Sequence, residues 1–378
     1  MTRNYCIFSA QYLPHLGGVE RYTYNLSKKL LENGNRVTIV TSNVQKLPAY
    51  ERIMGVDVYR MPCFNLLAGR YPILKLSSEF RKINKKLKSE NFDFVIVNTR
   101  FYIHSLYAAW FAKRKRIECV VIEHGTSHLT IHNPFWDKIG QIYEHGLTFF
   151  VKCLCHRYYG VSEACNEWLQ HFNIEAEGTL HNAIDLKQIN QILKTSKKKF
   201  RDQFSLSRDA VIITFTGRLL KEKGILTLIE SVKKINATYP EVYLFIAGEG
   251  DLDIEIQGRT NKNIIQLGRL SFEDIIILLS ESNIFCLPSD SEGFSTSILE
   301  AAACNNYIIT TRRGGAGELL LNDQYGLVID HNDFESVYHA ILCTIQNKEK
   351  LQQATALTYE QLIHNFTWGI IADKVEKL

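Results

Sequence analysis

Short runs rich in β-branched and aromatic residues recur along this chain, each followed by a segment whose apolar residues fall at helical spacing. In the first half such runs lie at 5–10, 36–41, 94–98 and 119–122, and in the second at 211–216, 242–247, 264–267, 284–287 and 307–310. Strand and helix in strict alternation cannot form hairpin sheets, so the strands pair in parallel under helices on both faces. With 378 residues there is material for two such doubly wound α/β domains. The pattern predicts an N-terminal Rossmann-like domain over 1–184 and a second over 185–359. A terminal helix is expected at 360–378, anchored by Phe366 and Trp368, and in two-domain folds of this kind the last helix commonly packs back on the first domain. The lysine-rich stretch 184–209, with Lys194, Lys197, Lys198 and Lys199, reads as the linker or linking helix. Sheets of this kind bind ligands beyond the carboxyl ends of their strands, which places the expected site in a cleft where the two domains face one another.

At 46% hydrophobic and 22% charged residues, disorder, collagen and coiled coil are excluded. The longest apolar candidates, near 275–287 and 147–155, are interrupted by Glu281 and Lys152 and fall short of a membrane span. Nine cysteines without regular spacing, behind a start that lacks a basic-then-apolar leader, lead us to expect reduced thiols and a cytoplasmic protein. Charge is polarised, +8 over 1–184 and −4 over the remainder.

Three motifs carry chemistry. His15-Leu16-Gly17-Gly18-Val19-Glu20 sits between the first strand and first helix, where a backbone without Cβ atoms admits an anion to helix amides. Gly217-Arg218 through Lys223-Gly224 puts two cations five residues apart behind a strand, suited to the two charged centres of a diphosphate. In Ser291-Glu292-Gly293-Phe294-Ser295-Thr296-Ser297-Ile298-Leu299-Glu300 a loop turns into a helix. Ser295 to Ser297 there offer capping oxygens and free amides, and Glu292 and Glu300 offer a carboxylate on either side for polyol hydroxyls.

Together with Glu123-His124-Gly125 and Gly314-Gly315-Ala316-Gly317-Glu318-Leu319, these motifs resemble, in order and over almost the whole chain, the retaining glycosyltransferases of family 4 with the GT-B fold. The resemblance implies that Arg218 and Lys223 clamp the donor diphosphate, Glu300 binds the ribose, and Glu292 holds hydroxyls of the transferred sugar. It further implies that Gly293, Phe294, Ser295 and Thr296 line sugar and phosphate, that Gly17 and Gly18 approach the diphosphate, and that His124 lies beside the donor sugar. Asn182 matches an interdomain Asn-Gly-x-Asp element, with Ala183 in place of the glycine. Where the family commonly has Glu-Ala-Met-Ala-x-Gly-x-Pro, this chain has Glu300-Ala301-Ala302-Ala303-Cys304-Asn305-Asn306-Tyr307, which alters the loop behind the donor helix. His128 and His132, in the loop after His124, are expected on the acceptor side.

The implied reaction moves a sugar from a nucleotide-diphosphate sugar to a hydroxyl of a glycan or polyprenyl-linked acceptor, as in synthesis of capsule, lipopolysaccharide or other surface polysaccharide. His124, Arg218, Lys223 and Glu292 form the expected catalytic set, with charge on the departing phosphate as the main thing to stabilise. No cofactor and no metal are expected. Asp251-Leu252-Asp253 reads as a turn rather than a metal signature, and Cys153, Cys155, His156 and Cys165 lack a second matching pair for zinc. Basic clusters from Arg70 to Lys88 and at Lys113-Arg114-Lys115-Arg116 fit peripheral contact with an anionic membrane. No nucleic-acid reading motif accompanies them. The competing readings are a nucleotide-sugar epimerase or hydrolase on the same fold, and a non-catalytic nucleotide-sugar-binding protein.

Overall fold

The computed structural model describes residues 2–378, leaving out 16, 67, 68, 70, 131, 132 and 198 and the side chain of 348. The expectations attached to Leu16, Arg70, His132 and Lys198 therefore lie outside the described residues. The chain divides into two units, residues 1–182 with 371–378, and residues 183–370.

The first unit contains β1 (Asn4–Ser9), β2 (Arg36–Ser42), β3 (Tyr50–Ile53), β4 (Val56–Met61), β5 (Cys63–Leu66), β6 (Tyr71–Leu74), β7 (Phe94–Asn98), β8 (Glu118–Glu123), β9 (Arg157–Gly160) and β10 (Gly178–Thr179). Its main sheet runs β10-β9-β8-β7-β1-β2-β4-β3. Every neighbouring pair is parallel except β3 with β4, and β5 and β6 form a separate hairpin. Strand order reverses between β1 and β7, so the loop carrying Gly17 and Gly18 leaves the sheet at its switch point. Cys6, Phe8, Val95 and Val97 are fully buried against Ala108, Phe111 and Ala112 of the helix Ile103–Lys115, which gives the sheet its dry face.

The second unit contains β11 (Val211–Thr216), β12 (Val242–Ala247), β13 (Ile264–Gly268), β14 (Ile284–Leu287), β15 (Tyr307–Thr311) and β16 (Leu327–Ile329). All are parallel, in the order β13-β12-β11-β14-β15-β16. Here the reversal falls between β11 and β14. The Gly217–Gly224 loop and the Ser289–Ser295 loop, far apart in the chain, thus become neighbours at adjacent carboxyl ends.

The stretch 184–209 holds a helix, one of the two forms expected there: Asp185 caps the helix Leu186–Thr195 by accepting from the Gln188 amide at 3.1 Å, and Ile189 is buried within the second unit. The helix Trp368–Glu376 joins the first unit only from residue 371 onward, where Ile371, Ala372 and Val375 are buried. Glu376 accepts from the side-chain amides of Asn33 and Asn35 at 3.1 and 2.6 Å. Phe366 stays with the second unit, its ring 5.2 Å from that of Phe294. Among the described residues, no helix is long and apolar enough to cross a membrane.

Candidate active site

In the second unit, Lys223 ends a 3-10 turn, Lys221–Lys223, closed by Gly224 in the left-handed conformation at φ 70°. A side chain at Gly224 would meet the Pro288 carbonyl at 2.1 Å, so only glycine lets this turn lie against the loop after β14. Two bonds hold the turns together: the Asp290 amide donates to the Glu222 carbonyl at 2.7 Å, and the Ser289 hydroxyl donates to the same carbonyl at 3.2 Å. Lys223 Nζ consequently reaches Glu292 Oε1 at 2.6 Å and the Ser291 carbonyl at 3.3 Å. Both side chains remain partly exposed, at 20% and 15%. Arg218, on the same loop, is exposed and forms no ion pair among the described residues.

Beyond Glu292 the chain enters the helix Thr296–Ala303. Ser295 occupies its N-cap position, but its side chain makes no capping bond, contrary to the expected capping oxygens. Amides of the first turn are thereby left for an anion. Glu300, one turn on, is buried at 5% exposure. The Gly314-Gly315 pair explains itself sterically. A Cβ on Gly314, at φ 58°, would lie 2.3 Å from the Gly293 carbonyl oxygen, and one on Gly315 would lie 1.9 Å from the Phe294 ring. The Gly315 amide donates to the Gly293 carbonyl at 3.0 Å. This motif therefore acts as the bed on which the loop 292–294 rests.

In the first unit, Gly17 is the N-cap of the helix Gly18–Glu32, and its amide donates to Glu20 Oε2 at 2.8 Å. The amide expected to face a diphosphate is thus held by the chain's own carboxylate, which a Cβ on Gly17 would displace at 2.5 Å. Burial raises the Glu20 pKa above the ordinary carboxyl range. Gly18 borders open space. His124 follows β8, partly buried, its Nε2 3.0 Å from Asn98 Oδ1 and its ring edge-on to Tyr22 at 4.8 Å. Because Asn98 Nδ2 donates to Thr23 at 2.8 Å, Oδ1 is the acceptor and His124 carries its proton on Nε2. Burial lowers the His124 pKa to about 3, so the imidazole is neutral and Nδ1 offers a lone pair. Asn182 is buried at the end of this unit.

His128, expected on the acceptor side, is partly buried. Its Nδ1 pairs with Glu144 Oε2 at 2.8 Å, and it packs edge-on against Trp168 at 4.9 Å. Glu144 belongs to a buried network that motif reading missed: Arg100 Nη1 bonds Glu123 and Arg100 Nη2 bonds Glu144, all three fully or almost fully buried. Glu123 Oε1 also accepts from the amides of His124 and Gly125 at 3.0 Å each, fixing the turn that presents His124. Arg100, Glu123 and Glu144 share no short spacing by which sequence could have joined them. Glu20 is different, because its position three residues past Gly17 has capping-box spacing.

Asp253 is engaged structurally, accepting from the Gly250 amide at 3.0 Å and from Gln266 at 2.9 Å. Cys155 donates its thiol to the Cys119 carbonyl at 3.1 Å, while Cys165 lies beside the Ser162 hydroxyl at 3.2 Å and Cys153 is exposed.

Two largely parallel sheets, each with a glycine-bearing loop at its switch point, define a protein built from doubly wound α/β units. The family model "Glycosyltransferase Family 4" matches residues 16–188 and "Glycosyl transferases group 1" matches residues 196–361, in chain order. The chain belongs to the group 1/4 glycosyltransferases with the GT-B fold. It is 26% identical to an uncharacterized glycosyltransferase of Methanocaldococcus jannaschii, over 98% of this chain and 97% of the relative. It is equally 26% identical to the phosphatidylinositol N-acetylglucosaminyltransferase GPI3 subunit of Saccharomyces cerevisiae, over 82% of this chain and 68% of the relative. Among solved structures, sucrose-phosphate synthase from Thermosynechococcus elongatus superposes with a TM-score of 0.75 at 17% identity, covering 99% of this chain and 98% of that one. Anabaena HepE in complex with UDP-glucose gives 0.75 at 16%, covering 99% and 98%.

Proposed function

We propose that this glycosyltransferase is a retaining, metal-independent enzyme of family 4 that transfers a sugar from a nucleotide-diphosphate sugar to a hydroxyl of a lipid-linked glycan or glycolipid. The observation that carries the reading is the pairing of Lys223 with Glu292 beside an uncapped helix start. Lys223, Arg218 and the free amides near Ser295 and Thr296 form a positive rim for the diphosphate. Glu300 takes the ribose, and Glu292, Gly293 and Phe294 line the sugar.

As the anomeric C–O bond breaks, its electron pair goes to the phosphate oxygen, and the cations and amides stabilise the growing charge. A Glu292 carboxylate committed to Lys223 is a poor nucleophile and a good hydroxyl acceptor. Attack therefore comes from the acceptor hydroxyl on the same face: its oxygen bonds the anomeric carbon, and its proton passes to the departing phosphate oxygen. Neutral His124, with Nδ1 open, accepts a hydrogen bond from a sugar hydroxyl.

A lipid-carried acceptor is supported by the first unit's surface. The helix Pro134–Leu154 exposes Phe135, Trp136, Ile139, Ile142, Phe149 and Phe150. Its end meets Lys113, whose Nζ donates to the Cys153 carbonyl at 3.1 Å, and Lys115 reaches the Lys88 carbonyl at 3.0 Å, so the basic clusters adjoin it. Apolar side chains beside lysines and arginines fit an anionic bilayer at the cytoplasmic face. The yeast relative, by its name, acts on phosphatidylinositol.

The test is incubation with a panel of labelled nucleotide sugars, with and without lipid extract. Acceptor-dependent transfer with the donor's anomeric configuration kept in the product supports the reading. Epimerised or hydrolysed donor without transfer, or donor binding with no turnover, replaces it with the corresponding alternative. Flotation with vesicles of anionic and of neutral lipid checks the membrane contact, and equal recovery from both removes it.

A further inference from the structure

Three imidazoles from three separate elements of the first unit converge at a point the transfer reaction does not use. His128 lies in the loop after β8, His145 in the helix Pro134–Leu154, and His171 directly after the helix Glu163–Gln170. One ring nitrogen from each falls within 4.8 Å of the others. His145 Nε2 and His171 Nε2 are 3.2 Å apart. Ring centroids stand 5.0 Å (His145 to His171), 5.2 Å (His128 to His171) and 5.4 Å (His128 to His145) from one another.

We propose that His128, His145 and His171 bind a zinc ion, with water in the fourth position. Zinc–nitrogen bonds of about 2.0–2.1 Å in a tetrahedron set neighbouring ligand nitrogens about 3.3 Å apart, which is the spacing of the His145 and His171 nitrogens. One ring nitrogen of His128 lies within 4.8 Å of both. A second observation is independent of that spacing. His128 Nδ1 donates to Glu144 Oε2 at 2.8 Å, which leaves Nε2 unprotonated with its lone pair available to an ion. A carboxylate behind a ligand histidine fixes its tautomer and raises its basicity, and Glu144 is itself clamped by buried Arg100. The rings are also held in place: His171 stacks on Trp168 at 4.8 Å and 6°, and His128 meets Trp168 edge-on.

Neutral imidazoles select borderline d-block dications over magnesium and calcium, which require oxygen ligands. The consequence of such a site is mechanical. An ion tying His128 to two helices pins the loop that begins at His124, four residues upstream of the first ligand. The ligand set is unrelated to Cys153, Cys155, His156 and Cys165.

The experiment uses untagged full-length protein, stripped with a chelator and titrated with zinc chloride against a chromophoric competitor. One saturable equivalent is expected, with no response to magnesium chloride. In the double variant His145→Gln/His171→Gln affinity falls at least tenfold. These residues are exposed, so the variant keeps its fold, which its unliganded thermal midpoint verifies. Cobalt in place of zinc should give the visible absorption of a tetrahedral nitrogen site, lost in the same variant. Absence of a saturable equivalent, or zinc binding undiminished in the folded double variant, overturns the proposal.

Discussion

Lys223 and Glu292, 69 residues apart in the chain, form an ion pair at 2.6 Å across the switch point of the second sheet. Each side chain has a separate expected duty, the cation toward diphosphate and the carboxylate toward sugar hydroxyls. Their contact makes the two duties interdependent, since each holds the other in place.

Lys223→Met and Glu292→Gln should each lower kcat by about 10²–10³. The double variant should fall no more than about tenfold below the worse single, because residues acting as a unit are not additive. Steady-state turnover of all three measures it, and full additivity would show that the pair is incidental. Arg218→Ala, which breaks no pair, should cost a comparable factor by itself.

Gly315→Ala forces a methyl to within 1.9 Å of the Phe294 ring, so the loop 292–294 must move. Overpacking of this kind costs about 1–3 kcal/mol. We expect a lower thermal midpoint and weaker donor binding. Gly317→Ala, whose Cβ would meet nothing within 4 Å, is the matched control and should leave both unchanged.

Arg100→Met leaves Glu123 and Glu144 buried without their shared cation. Removing one partner of such a network costs about 3–5 kcal/mol. Urea denaturation should show that loss, and Arg100→Lys should recover little of it, because one ammonium cannot reach both carboxylates as a guanidinium fork does.

Burial lowers the pKa of His104 to about 4, with its Nε2 2.9 Å from the Val40 carbonyl, and that of His124 to about 3. Unfolded, both titrate near about 6.5. The unfolded state therefore binds more protons below that value, and the stability these groups contribute, complete above pH ~6.5, is lost as pH falls toward 4 and then 3. His104→Gln should flatten the stability profile between pH 6.5 and 4 by about 1.4 kcal/mol per pH unit at most. A profile as steep as the parent's would place the proton uptake elsewhere.

Period and punctuation were enough to read the parallel architecture. Apolar runs such as 211–216 and 242–247 could only be strands with helices between them, and the glycines at 224, 314 and 315 marked turns without room for a Cβ. Strands broken by polar residues or very short escaped, among them the buried β4, where Asp57 and Arg60 interrupt the apolar run, and the two-residue β10. The candidate donor motifs were equally visible, being contiguous and shaped by local rules of capping and left-handed turns.

Local sequence therefore determined which segments are strand, helix and glycine turn, and which loops carry charge. Tertiary structure alone decided which loops meet. Sheet order, not chain order, brings Lys223 to Glu292, Arg100 to both Glu123 and Glu144, and three histidines from separate elements to one point. It also left the apolar face of Pro134–Leu154 outward, where helical period by itself would have assigned it to a core. The physical reason is that a parallel strand pair joins residues separated by a whole crossover, and no short-range preference encodes that partner.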